Sequence, residues 1–515
     1  MRSSKDYEEA MLKMKPNIWI GEELVGREDS RIQGGMNIVK ETYDRAQDPE
    51  YEDLATATSH LTGEKISRFC HIHQNVDDLL KKQRLTRVLC HRVGGCIQRC
   101  MGCDCLNSLS VITYELDQAL GTDHYKRLEA YIKFFQKNDL AASSASTDPK
   151  GDRLKRPHEQ EDLDQYLRVI ETRDDGIIVR GAKICITNTP YVDEVIVVPC
   201  RFMGPEDKDY AVSFALPADW EGLKLLARPA NPHKSKYFKV RALDFGDVES
   251  FLIFDDVFVP NERIFLNGHG DPRQTPYSGF LALMFAHYHR HSYTGCKAAM
   301  SEILASAAAL VAEYNNIENT SHARDKISHL IGTAELVFAA GEASAYHSEK
   351  APSGTQVPDE ILTNAGRRLA GEEIYNEYKI LADLAGGLMA TLPYEESFFS
   401  EKLGKLGDLA LKYLKRNPRI KPENIYKCFK GIETIGASDL AGLLQVAGLH
   451  GGGSPQMETI AMMGRYNIEK LKNISKYLFG IKSKLHRYER SETPVTPRKI
   501  LEKFRNVMKM KHKQE

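Results

Sequence analysis

The sequence lacks a charge imbalance, a long uncharged apolar run and a secretion signal at its start, and each absence removes a class of function. Seventy Lys and Arg against 71 Asp and Glu leave a formal net charge of −1, which argues against a general polyanion binder, and nucleic acid is not expected as a partner. The opening MRSSKDYEEAMLKMK has no apolar h-region, and no uncharged apolar stretch reaches the ~18 residues of a membrane span. A soluble, cytoplasmic protein that makes no membrane contact is therefore expected. Neither "AGGL" at 385–388 nor "LHGGGSPQ" at 449–456 has GxGxxG spacing after a strand, so there is no Rossmann fingerprint. No internal repeat is visible. Ten cysteines without a secretion signal read as reduced thiols or metal ligands rather than as disulfides.

What is present divides the chain into segments of different texture. At 515 residues it exceeds what one hydrophobic core serves. Residues 1–145 read as a helical N-terminal domain, with apolar residues at three- and four-residue spacing in "DLLKKQRLTRVLCHRVGGCIQRCMGCDCLNSL". Residues 146–275 read as a β domain, from short β-branched runs such as "YLRVIETRDDGIIVRG", whose "RDDG" suits a hairpin turn. Residues 276–490 return to helical periodicity as a C-terminal bundle. Residues 491–515 form a basic tail, with seven Lys or Arg against two Glu after Pro497, which reads as a solvated helix. The class is α+β, and helical, β, helical in that order is the layout of acyl-CoA dehydrogenase-like flavoproteins.

Four stretches carry chemistry. In "GGCIQRCMGCDC" the residues Cys96, Cys100, Cys103 and Cys105 crowd together, more thiols than core packing asks for. On a helix, Cys96 and Cys100 share a face while the other two fall progressively around it. Zinc asks for a second ligand knuckle that this chain lacks, whereas an iron–sulfur cluster accepts ligands from distant segments. "FAHYHRHSYTGCKAAM", residues 285–300, offers such ligands. His289 and Cys296 lie close to two helical turns apart on one face, with Tyr293 between them and Lys297 beside it, while His287 and His291 diverge. Cys96, Cys100, Cys296 and His289 together make a set of three thiolates and one imidazole. "STDPKGDR", residues 146–153, offers amides near Gly151, the Thr147 hydroxyl and the charges of Lys150 and Arg153, suited to a phosphate or an isoalloxazine edge; a plain interdomain turn accounts for it equally well. In "LHGGGSPQ" three glycines allow close backbone approach to a ligand.

The segments "CIQRC", "TDPKGDR", "VRGAK", "DKDYAVSFA", "FDDVFVPNERIF", "YHRHSYTGCK", "AGGLMATLP" and "HGGGSPQ" together resemble the 4-hydroxyphenylacetate 3-hydroxylase family, specifically its FAD and iron–sulfur dehydratase branch. The likeness runs in order along nearly the whole chain. It implies that Cys96, Cys100, His289 and Cys296 hold a 4Fe-4S cluster. It implies an active site containing Gln98, His289, Tyr293 and Lys297, with Glu249 as a catalytic carboxylate. It assigns Ser146, Thr147, Asp148, Pro149, Lys150, Gly151, Asp152, Arg153 and Thr187 to FAD, and lets Gly386 and Gly387 reach the flavin of a neighbouring subunit in a homotetramer. The implied activity is a flavin radical dehydration of an acyl-CoA substrate, 4-hydroxybutyryl-CoA to crotonyl-CoA, with vinylacetyl-CoA isomerisation as a companion. Alternatives are the same chemistry on another hydroxyacyl substrate, or an aromatic 3-monooxygenation using flavin. Two features depart from the family pattern. Cys103 and Cys105 are additions, and where a second carboxylate is expected before the glycine loop there is Ala447, with no acid until Glu458.

Overall fold

The β-branched runs in the middle of the chain form two sheets, and the helical segments on either side pack against them. The structure is a computed structural model that describes residues 1–485; the basic tail read at 491–515 lies outside the described residues. In chain order the elements that position the site begin with helix α1 (Ser4–Leu12), strands β1 (Ile18–Ile20) and β2 (Glu23–Val25), and helices α2 (Ser30–Ala46), α3 (Val76–Val93), α4 (Cys100–Leu120) and α5 (His124–Lys137). Strands β3 (Ala142–Ala145), β4 (Arg168–Arg173), β5 (Gly176–Thr187), β6 (Glu194–Val197), β7 (Val212–Pro217), β8 (Leu223–Ala230), β9 (Asp247–Pro260) and β10 (Ile264–Asn267) follow. The chain then returns to helix in α6 (Tyr277–Tyr314), α7 (Ser321–Tyr346), α8 (Glu360–Ala385), α9 (Pro422–Gly436), α10 (Asp439–His450) and α11 (Pro455–Arg465).

The larger sheet has the order β2-β1-β8-β9-β5-β4 and the smaller β10-β7-β6-β3. The expected hairpin is present: β4 and β5 pair antiparallel with Arg173 opposite Gly176, leaving two residues in the turn. Their inner faces enclose one core that includes Val179, Val195, Phe214, Leu225 and Phe254. The N-terminal segment is not helical throughout, because β1 pairs parallel with β8, Ile18 opposite Leu225. Three-residue strands are too short to show an alternating pattern, so their partner in the sheet defines them.

Helix α6 is the axis of the helical part, 38 residues long and packed against α3, α4, α7 and α8. It is long and apolar enough to cross a membrane by length and composition. Arg290, Lys297 and Glu302 interrupt it, so it holds no uncharged run of that length; the first two are buried within the protein. Gln83 of α3 ties this helix to α7, donating from Nε2 to Thr294 Oγ1 at 3.0 Å and to the Phe338 carbonyl at 2.9 Å.

Candidate active site

The cysteine segment is a loop followed by a helix, not one helix. Gly94 ends α3 in the left-handed conformation, φ 70°, with its N–H bonded to the Cys90 carbonyl. The chain re-enters helix only at Cys100, so Cys96 and Gln98 lie on the connecting loop and Gln98 itself has φ 60°. The expectation that Cys96 and Cys100 share a helical face is thus corrected; two consecutive glycines stop the helix that apolar periodicity alone would continue. The loop is anchored at both sides. Arg99 bonds Asp139 Oδ1 at 2.6 Å and stacks 3.9 Å from the Tyr43 ring centre. The Gln98 carbonyl accepts from Asn188 Nδ2 at 2.8 Å, and its side-chain oxygen accepts from the Tyr191 hydroxyl at 2.6 Å.

The second stretch is helical as expected, lying within α6. His289 and Tyr293 meet edge to face with ring centres 5.0 Å apart. His287 turns away to the Pro358 carbonyl, 2.6 Å from Nε2. Ligand atoms of Cys100, Asp104 and His289 lie within 4.8 Å of one another, all buried. Burial pushes the thiols of Cys96 and Cys100 up; the Cys296 sulfur adds to the rise at Cys96, and the charge of Asp104 followed by the neighbouring sulfurs adds to it at Cys100. Cys296 is drawn the other way, chiefly by a hydrogen bond from Cys90. None of these thiols is in a disulfide. Cys103 and Cys105 are occupied elsewhere, Cys103 Sγ 3.5 Å from the His71 carbonyl and Cys105 Sγ 3.0 Å from Ser144 Oγ.

Asp104 is the residue that sequence reasoning missed. Its Oδ2 receives His289 Nδ1 at 2.9 Å, while Oδ1 pairs with Lys82 and accepts from Ser292 Oγ at 3.0 Å. Phe285 stacks on the imidazole, ring centres 5.6 Å apart and 11° from parallel. The ring is therefore fixed in orientation and tautomer, with Nε2 left as its free nitrogen. Its position one helical turn after Cys100 was the available clue.

The glycine loop closes the site from the other side. A Cβ on Gly451 would fall 1.5 Å from Tyr293 Oη, and one on Gly448 2.9 Å from Lys297 Nζ. Two buried arginines hold the loop: Arg367 donates to the Leu449 and Gly451 carbonyls at 3.1 and 2.8 Å, and Arg290 to the Gly452 carbonyl at 2.8 Å. Arg367 also sits 4.6 Å over the Tyr293 ring. Where an acid was expected, the Ala447 carbonyl accepts the Tyr293 hydroxyl at 3.1 Å. Glu458 is fully buried, but it pairs with Arg367 at 3.6 Å rather than facing Tyr293. Burial lowers Lys297 from the ordinary lysine range, opposed by the charge of Glu377.

Glu249 extends from β9 and accepts the Thr187 hydroxyl at 2.6 Å; burial raises its carboxyl above the ordinary range and that bond offsets part of the rise. In the 146–153 segment the structure separates two kinds of residue. Asp148 and Pro149 are buried, Asp148 paired with Lys183 at 2.5 Å and accepting from Cys200 at 3.1 Å. The Lys183 ammonium also donates to the Ser146 carbonyl, and the Thr147 carbonyl accepts from Ile184 N–H at 2.8 Å. Lys150, Gly151, Asp152 and Arg153 are exposed. Gly386 and Gly387 stand at the exposed end of α8, apart from the buried cluster.

Comparison with known proteins shows the family. The family models for the N-terminal and C-terminal parts of 4-hydroxyphenylacetate 3-hydroxylase match residues 3–266 and 279–480. The chain is 36% identical over 494 residues to 4-hydroxybutyryl-CoA dehydratase/vinylacetyl-CoA-Δ-isomerase of Clostridium aminobutyricum, covering 94% of this chain and 100% of the relative. It is 26% identical to the oxygenase component of 4-hydroxyphenylacetate 3-monooxygenase of Thermus thermophilus, over 80% of this chain and 84% of that one. Among solved structures, an oxygen-tolerant archaeal 4-hydroxybutyryl-CoA dehydratase from N. maritimus superposes with a TM-score of 0.88 at 33% identity, covering 95% and 97% of the two chains. An oxygenase component of 4-hydroxyphenylacetate 3-monooxygenase complexed with FAD shares the fold, with a TM-score of 0.81 at 22% identity over 93% and 98%. The chain belongs to the 4-hydroxyphenylacetate 3-hydroxylase family, and within it is similar to the 4-hydroxybutyryl-CoA dehydratases.

Proposed function

We propose that the chain is an FAD- and iron–sulfur-dependent hydro-lyase that converts 4-hydroxybutyryl-CoA to crotonyl-CoA, with vinylacetyl-CoA isomerisation in the same pocket. The observation that carries this reading is the convergence of buried Cys100, Cys296 and His289 with half-buried Cys96, from separate stretches of chain and with no disulfide among them. Three thiols and an imidazole already fixed through Nδ1 fit a four-iron cluster. The exposed amides and cations of 150–153, with Thr187 beside Glu249, fit a flavin edge. In this reading the layout is acyl-CoA dehydrogenase-like, and a homotetramer brings Gly386 and Gly387 to a neighbour's flavin.

The chemical difficulty is that a thioester acidifies its α hydrogen but not the β hydrogen that dehydration removes. When bound, the flavin supplies one-electron chemistry for the second removal, and cluster iron supplies a Lewis acid for the departing hydroxyl. The chain's residues do the remaining work. His289 offers Nε2 as iron ligand or as base for the α proton, its orientation set by Asp104. Tyr293 Oη holds a proton at the glycine loop, and the Lys297 ammonium balances charge that develops on the thioester oxygen. Glu249, raised by burial, carries the β proton, and the Gln98 amide orients the acyl chain.

Ala447 favours a second reading, the same chemistry on a different hydroxyacyl thioester, because a backbone carbonyl there supplies an acceptor without charge. Anaerobic assay of 4-hydroxybutyryl-CoA beside other 4- and 5-hydroxyacyl thioesters separates the two. Crotonyl-CoA formation from the first supports the proposal. Oxygen-dependent hydroxylation of a phenol by the iron-free protein overturns it.

A further inference from the structure

Strand β9 carries a second carboxyl, the buried Asp247, two residues before the half-buried Glu249 and so on the same side of the strand. Asp247 Oδ1 lies 3.1 Å from the Tyr191 hydroxyl, whose oxygen is also 2.6 Å from Gln98 Oε1 and receives the Val248 N–H at 3.3 Å. Tyr191 has one hydrogen for two acceptors. If it goes to Gln98, Asp247 must bring its own. The groups facing this pair from neighbouring elements are Tyr191, Gln98 and Thr187, with Cys96 on the cysteine loop, Cys185 on β5 and Arg228 opposite Glu249 on β8. Arg228 is exposed, and among the described residues neither carboxyl has an ion pair within 4.0 Å. Neighbouring carboxyls, one buried and one half-buried, cannot both ionise cheaply without a cation.

We propose that Asp247 is a neutral carboxylic acid that donates to Tyr191, which in turn donates to Gln98, fixing that amide and leaving Glu249 as the carboxyl that moves a proton. Asp247 and Tyr191 are positioning residues, not groups that touch substrate. Burial pushes Asp247 well above the ordinary carboxylate range and the charge of Glu249 adds to it, in keeping with the proposal. With the hydrogen bonds in this order Gln98 Oε1 is committed to Tyr191, and the amide Nε2 lies toward Asp247. The competing arrangement turns the Gln98 amide over, so that Nε2 donates to Tyr191 and Tyr191 to an ionised Asp247. The role given to Gln98 rests on the dehydratase reading; the protonation of Asp247 does not.

Infrared spectra of the anaerobically purified holoenzyme at about pH 8, without substrate, test the proton directly, since an ordinary carboxyl is fully ionised there. A neutral-acid carbonyl band that shifts when aspartate is isotopically labelled, does not shift on glutamate labelling, and disappears in Asp247→Asn is the expected result. Absence of that band, or a band that follows glutamate labelling, overturns the proposal. As a functional arm, Asp247→Asn keeps a donor toward Tyr191 and is expected to retain about tenfold more kcat than Asp247→Ala at similar KM. Equal loss in both contradicts the positioning role, whether or not 4-hydroxybutyryl-CoA is the substrate.

Discussion

His289 would be a poorly defined ligand without Asp104. A free imidazole chooses between two tautomers and many orientations, whereas here Nδ1 is committed to a carboxylate that is itself held by Lys82 and Ser292. Replacing Asp104 by Asn keeps the shape but removes the charge that holds the proton on Nδ1. Iron is expected to leave the Asp104→Asn protein about 10–100 times more readily under chelator challenge, the usual range for loss of an outer-shell partner. Iron retention equal to wild type would show that Asp104 serves the fold alone. His73 poses the opposite case, a buried histidine that must stay neutral. Burial lowers it well below the ordinary range, with the positive charge of Lys82 adding to the effect. Below about pH 6.5 the unfolded chain binds a proton there that the folded chain refuses, so stability falls with pH by about 1.4 kcal/mol per unit for this group. In His73→Asn the acid limb of a denaturation-midpoint profile is expected to be shallower.

The glycine loop shows how an element can be shaped by its neighbours. Gly451 leaves room for Tyr293 Oη, and the loop's carbonyls are neutralised by Arg290 and Arg367 instead of by water. Gly451→Ala places a methyl where the hydroxyl is and is expected to cost about 1–3 kcal/mol and to displace Tyr293. Lowered midpoint together with lost turnover checks this; an unchanged midpoint would mean that the loop is free to move. The elements were unequally legible in the sequence. His289, Tyr293 and Cys296 could be placed on one face because α6 is unbroken through that stretch. Cys96 could not, since the apolar spacing of α3 runs on across Gly94 and Gly95 and conceals where the helix ends. Asp104 and Asp247 look like ordinary surface acids until the chain is folded, because only tertiary packing buries them with Lys82 or with Tyr191. The departure at Ala447 was legible as a missing acid, but its consequence, a backbone carbonyl in contact with Tyr293, was not.

At the scale of the whole molecule, the sheets and the helical bundle meet where the cysteine loop, α6, β9 and the glycine loop converge. The turn after β5 fixes Gln98, Thr187 on β5 fixes Glu249, helical residues hold His289 and Cys296, and the candidate site draws on both parts. Several large apolar side chains, among them Leu336, Tyr346 and Tyr413, are exposed on the helical part of the single chain, the kind of surface that assembly covers. The central claim is that the buried thiols and imidazole hold a four-iron cluster beside a flavin. Iron, sulfide and flavin content of the anaerobically purified protein, compared with Cys100→Ser and Cys103→Ser, tests it most directly. The account predicts about four irons and about one FAD per chain in wild type and in Cys103→Ser, with iron lost from Cys100→Ser. Iron-free wild-type protein that still dehydrates its substrate, or iron that depends on Cys103 instead of Cys100, would contradict it.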